Sequence, residues 1–137
     1  MCRYYEGEWK RLPAFDSLMP DRSSTEMRVG LPGYAREEDF ALVFNGYIEA
    51  PRDGLYTFHL WSDDGSALYV GGDHVVDNDG LHGNQLRRGS VALKKGTHPI
   101  RIIFFQHLGG AALDLQVEGP GIDLQSVPAE WLFHEEN

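Results

Sequence analysis

Asp63 and Asp64 are neighbouring carboxylates set one residue, Ser62, beyond the apolar, β-prone run Leu55–Trp61. Such a run reads as a core strand, and two adjacent acids at its end are an uncommon concentration of negative charge. A second acidic stretch, Asp77-Asn78-Asp79-Gly80, follows two short apolar runs. Together Asp63, Asp64, Asp77, Asn78 and Asp79 supply the oxygen donors that a hard cation such as calcium gathers, roughly six to eight at a time. The second stretch is not an EF-hand loop. Aligning Gly80 with that loop's invariant glycine puts Val75 at the first ligand position and Leu86 where the bidentate glutamate belongs.

Catalytic chemistry fits these residues poorly. Glycoside hydrolysis needs two carboxyls roughly 5 to 9.5 Å apart across a sugar, and neighbours on one turn cannot straddle a ring. Ser66 and Ser90 have no Gly-x-Ser-x-Gly setting. The histidines (His59, His74, His82, His98, His107 and His134) are scattered, without helical metal spacing, and Cys2 is the single cysteine. The sequence therefore predicts no catalytic residues in this domain. Sugar recognition is compatible with the same place, because sugars offer C–H faces to aromatic rings and hydroxyls to amides and carboxylates. Trp61 precedes the acidic pair, and His82, Asn84, Gln85 and His107 stand in loops that turns can bring near Asp63. Packing is the competing role for Trp61.

The runs Tyr56-Thr57-Phe58, Ser62-Asp63-Asp64-Gly65-Ser66, Leu68-Tyr69-Val70 and Val75-Val76-Asp77-Asn78 resemble the PA14 domain, a β-sandwich module of glycosidases, adhesins and toxins. The likeness extends to Tyr4-Tyr5-Glu6-Gly7, Phe40 to Ala50, Gly96 to Ile102 and Gly109 to Val117. In sugar-binding adhesins of that family, two successive Asp residues joined by a cis peptide hold calcium, and calcium holds sugar hydroxyls. The resemblance implies that role for Asp63 and Asp64. Those lectins complete the site with an Asn and backbone carbonyls from the loop after the last long strand. Here the loop reads Gln106-His107-Leu108-Gly109-Gly110, so Gln106 would have to offer the amide oxygen. The alternative is a metal-free turn in which Asp63 bonds its own backbone N–H groups and Gly65 takes a positive φ.

At 137 residues the chain is read as a single domain, 1–137, able to bury a core. Twelve basic against twenty-one acidic residues leave a net charge of −9, which excludes nucleic acid as an expected partner. No apolar run is long enough for membrane insertion, and one cysteine allows no internal disulfide. The chain opens almost at once on a strand, which suggests a domain cut from a larger protein.

Asp39–Ala50 is apolar on both faces and predicts a central strand. Pro51-Arg52-Asp53-Gly54 is a turn by composition, after which Leu55–Trp61 is expected to return as a hairpin partner with Tyr56, Phe58 and Leu60 inward. Ser62–Ser66 is expected to turn into Ala67–Val70, and Gly71-Gly72 to close a further strand pair. Gly89–Leu93, Thr97–His107 and Ala111–Val117 complete the strands, with Cys2–Glu6 at the start. Trp9 and Phe15 are expected to cover a core edge, Pro20–Tyr34 to form a long surface loop, Pro128–Trp131 a helical turn, and Glu135–Asn137 to fray. Phe44, Phe58, Leu60, Ile102, Phe104 and Leu115 should meet between two sheets.

These readings converge on an all-β antiparallel sandwich acting as a non-catalytic carbohydrate-binding or accessory module of a larger secreted or surface protein, plausibly a glycosidase of bacterial type. Its expected ligand residues are Trp61, Asp63, Asp64, His82, Asn84, Gln106 and His107, with calcium on Asp63 and Asp64. Expected partners are a glycan or polysaccharide and neighbouring domains of the parent chain. By family resemblance the location is extracytoplasmic. The alternative is a structural or protein-interaction domain with no ligand of its own.

Overall fold

The computed structural model describes residues 1–134, so the expected fraying of Glu135–Asn137 lies outside the described residues. Two antiparallel sheets face each other. Sheet A holds seven strands in the order β2-β1-β3-β8-β5-β6, with β11 also on β3. They are β1 (Cys2–Glu6), β2 (Arg22–Ser24), β3 (Phe40–Ala50), β5 (Ser66–Val70), β6 (Asp73–Asn78), β8 (Gly96–Gln106) and β11 (Leu132–Phe133). Sheet B holds four in the order β10-β9-β4-β7: β4 (Gly54–Asp63), β7 (Gln85–Leu93), β9 (Ala112–Gly119) and β10 (Ile122–Ser126). Among the described residues no helix is long and apolar enough to cross a membrane.

Period-two alternation explains the core. Phe44, Phe58, Leu60, Ile102, Phe104 and Leu115 are all buried in the main cluster between the sheets, as the strand phase predicts. The opposite face of β3 and β8 is apolar too, because Phe15 and Trp9 fold over it with Val43, Ile103 and Phe105. That accounts for the near-continuous apolar composition of β3, which lies between β1 and β8.

Pairing differs from expectation at the turns. β4 is not a hairpin partner of β3, and β5 does not return along β4. Both edges of β3 are taken by β1, β11 and β8, and both edges of β4 by β7 and β9. Each connection therefore crosses from one sheet to the other. The same holds between β7 and β8, which sit in different sheets. The β5–β6 pair closing at Gly71-Gly72 does form. Strand β2 lies inside the expected surface loop 20–34, and the mostly exposed β10 alternates only Ile122 and Leu124 with polar residues.

Candidate ligand site at one end of the sandwich

The crossing from β4 to β5 builds this end. Ser62 points inward and its hydroxyl lies 2.5 Å from that of Ser66, the first residue of β5. The Asp63–Asp64 peptide between them is cis. Gly65 does not adopt a positive φ; it is there for space. A Cβ on it would stand 2.5 Å from the Phe105 ring and 2.8 Å from the backbone nitrogen of Gly80. The β5·β8 register pairs Ser66 with Phe104, and the Phe105 N–H donates to the Gly65 carbonyl at 2.9 Å. Continued by two residues, that register sets Asp64 opposite Gln106.

Asp64 is buried and held by two loops. Its Oδ1 accepts the backbone N–H of His82 at 3.1 Å and its Oδ2 that of His107 at 2.8 Å. Asp63 is half-buried, and no hydrogen bond reaches its carboxylate among the described residues. Burial, and then the charge of Asp64, push its carboxyl above the usual carboxylate range, while His82 opposes them. The turn in which Asp63 bonds its own backbone is therefore not the arrangement found; Asp64 accepts the backbone donors, and from distant segments.

Gln106 is fully buried. Its amide nitrogen donates to the carbonyls of Gly109 (2.8 Å) and Glu37 (3.2 Å), and two acceptors on one side fix the orientation of the amide. Its Oε1 is buried and accepts no hydrogen bond from the described residues. An acceptor in that state costs about 1–3 kcal/mol. The continued β5·β8 register places its residue across from Asp64.

The PA14 domain family matches residues 30–131. The chain belongs to the PA14 domain family. Solved structures agree on the fold. An anti-sigma factor domain-containing protein superposes with a TM-score of 0.86 at 17% identity, over 99% of this chain and 48% of its own. The PA14 sugar-binding domain from an RTX adhesin gives a TM-score of 0.76 at 17% identity, over 98% of this chain and 97% of its own. The Epithelial Adhesin 9 A domain of Candida glabrata, solved with Galb1-4GlcNAc, gives 0.59 at 17% identity, over 69% of this chain and 52% of its own. The chain thus spans about half the length of the first of these proteins. Among curated proteins, none matches the sequence.

In this PA14 domain the expected ligand residues divide into two groups. Asp63 and Asp64 are chain neighbours and the continued β5·β8 register sets Gln106 opposite Asp64, while Trp61 shares the outer face of β4 with Asp63, two residues away and across from Asp114 and Leu86. It is half-buried. The other three are arranged differently. The His82 ring is engaged by the carbonyls of Gly83 (2.7 Å) and Asn78 (2.8 Å), so it braces its loop. His107 gives its backbone to Asp64 while its ring faces Asp39 Oδ1 at 3.1 Å. Asn84 is exposed in the loop between β6 and β7.

The second acidic stretch has a local role. Asp79 Oδ1 accepts the N–H groups of Leu12 and Gly80, and Asp77 accepts that of Asp79. Asn78, named from the sequence as an oxygen donor for a cation, instead braces the fold. Buried at 2% exposure, its amide donates to the Leu60 and Gln85 carbonyls and the Ser62 hydroxyl, and its Oδ1 accepts from Gln85. The available signal was an amide in phase with the inward Val76.

Proposed function

We propose that this PA14 domain is a non-catalytic carbohydrate-binding module of a larger extracytoplasmic protein, and that a glycan seats at the Asp63–Asp64 end. The observation that carries the reading is the buried Gln106 Oε1, which has no partner among the described residues, on the residue that the continued β5·β8 register sets opposite Asp64. The residues fit a calcium ion: the carboxylates of Asp63 and Asp64 and the amide oxygen of Gln106 would hold it. Gln106 then replaces the Asn of the family's lectins with a longer side chain, and its bonds to Glu37 and Gly109 offset the added freedom. Bound there, calcium supplies coordination positions that sugar hydroxyls can fill.

The chain's own residues do the rest. Asp64 ties the loops of His82 and His107 to the end of β4, so the rim is ordered before a ligand arrives. Trp61 offers a ring on the same face as Asp63 for a sugar's C–H surface. Two carboxylates on one turn cannot flank a glycosidic bond, which supports a binding role over a catalytic one. Glycan-bearing structures among the similar folds, such as the adhesin domain with Galb1-4GlcNAc, support the ligand class.

The test is a glycan array probed with calcium and with chelator, for the wild type and Asp63→Asn. Glycan binding that needs both calcium and Asp63 is expected. Binding that survives chelation removes the metal and keeps the sugar. Silence across a broad array in both conditions transfers the module to the interaction class, docking on a neighbouring domain.

A further inference from the structure

Glu8, Asp39 and His107 follow β1, precede β3 and follow β8, three strands that are neighbours in sheet A. Each offers one ligand atom, and these atoms lie within 4.8 Å of one another. We propose that they form a second metal site, for a divalent first-row transition ion of the zinc class, separate from the Asp63 and Asp64 carboxylates although the His107 N–H is bonded to Asp64. The donor set decides the class. An imidazole nitrogen suits zinc, cobalt or nickel and is foreign to calcium, which takes oxygens. Two carboxylates and a neutral imidazole also balance a divalent charge.

Geometry and backbone support agree. The separation of 3.1 Å between His107 Nδ1 and Asp39 Oδ1 approaches the ~3.3 Å edge of a tetrahedron with arms of ~2.0 Å. The three segments are laced together by main-chain bonds: Gly7 N–H to the Asp39 carbonyl at 3.0 Å, and Asp39 N–H to the His107 carbonyl at 2.9 Å. His107 is fixed a third time through Asp64. The nearby cation, Arg36, is turned to Glu6 and to the Asp39 backbone carbonyl. No ion pair to Glu8 is present among the described residues, and the Asp39 carboxylate has only His107. Three protein ligands leave a position for water or for an oxygen of a bound molecule.

Cobalt(II) titration of the full chain, followed by its visible absorption and by displacement with zinc, tests the site. One cobalt per chain is expected, displaced by zinc and unmoved by calcium. Glu8→Gln and His107→Asn should each weaken cobalt by more than the roughly tenfold that even an outer-shell change costs. His107→Asn keeps the backbone donor to Asp64, and Asp63→Asn should leave cobalt affinity unchanged. Glu8 is exposed, so Glu8→Gln decides the matter alone if the histidine variant fails to fold. No cobalt uptake at millimolar ion, or uptake that ignores Glu8→Gln, overturns the proposal.

Discussion

The two ends of the sandwich are built on opposite principles. At the end holding Pro51–Gly54, polar groups are satisfied close by. The Tyr56 hydroxyl donates to the Arg52 carbonyl at 2.7 Å and accepts the Arg52 N–H, four residues away. One longer reach there is solvent-exposed: Asp53 accepts the N–H of Lys95, 42 positions on in the adjacent turn. At the Asp63–Asp64 end the partners are far apart in sequence. Asp64 reaches 18 and 43 positions along the chain, Gln106 reaches Glu37 across 69, and Glu38 takes the Gly109 N–H across 71. Ser62, Asp64, Ser66, Asn78 and Gln106 are buried here. The first end closes the fold. The second keeps a polar network inside low dielectric, where satisfied bonds are strong and an unmatched acceptor is costly, and it leaves one unmatched.

The largest expected effect lies beneath the polar end. Phe104 is fully buried, pairs with Ser66 and Leu42, and packs against Phe40 with ring centroids 5.8 Å apart. Phe104→Ala should cost about 3–5 kcal/mol in denaturant melts from transfer and cavity terms. Next, Asp64→Asn should cost about 1–3 kcal/mol, since its new NH2 group must face a backbone N–H that a carboxylate oxygen accepted. At the opposite end, Tyr56→Phe should cost less, about 0.5–1.5 kcal/mol, because Arg52 lies in a surface turn and water can replace the hydroxyl. Equal costs for these two variants in the same melts would erase the contrast between the ends.

That contrast also explains what the sequence made legible. Alternation fixed the inward residues of β3, β4, β8 and β9, because burial between sheets selects apolar side chains at period two. Turn chemistry marked Pro51–Gly54 as a break, since the relevant constraints are local. Which sheet each strand joins was not legible. A crossing between sheets and a hairpin use similar turn residues, and the choice depends on edges already occupied by β1, β7, β8 and β9. The candidate site was half legible. The sequence marked Asp63, Asp64 and Gln106, and the continued strand register sets Gln106 opposite Asp64. The division of labour within the acidic pair was hidden, because it is set by N–H groups arriving from His82 and His107. The separate environment of the His107 ring was hidden for the same reason: Asp39 and Glu8 meet it only through sheet pairing.

The smallest expected effect on stability is the most informative. Asp63 has a carboxyl raised by burial and by Asp64, so the fold disfavours its charged form. For a raised acid, its contribution to stability is fully present below its ordinary pKa and is lost as pH rises through the raised value. Asn imitates the protonated carboxyl. In chelator, Asp63→Asn and wild type should therefore melt together in acid, and the variant should melt slightly higher once the wild type has ionised. Calcium should invert that order near neutral pH. An ion bound only by the native state stabilises it by about 2.7 kcal/mol at a hundred times its Kd, and only the wild type should respond. Asp64→Asn cannot make this measurement, because loss of one of its two backbone bonds lowers the melt with or without the ion. If Asp63→Asn melts well below wild type in chelator, Asp63 supports the fold and the polar end is purely structural. A variant that still responds to calcium would put the ion elsewhere, and the unmatched Gln106 oxygen would need another partner.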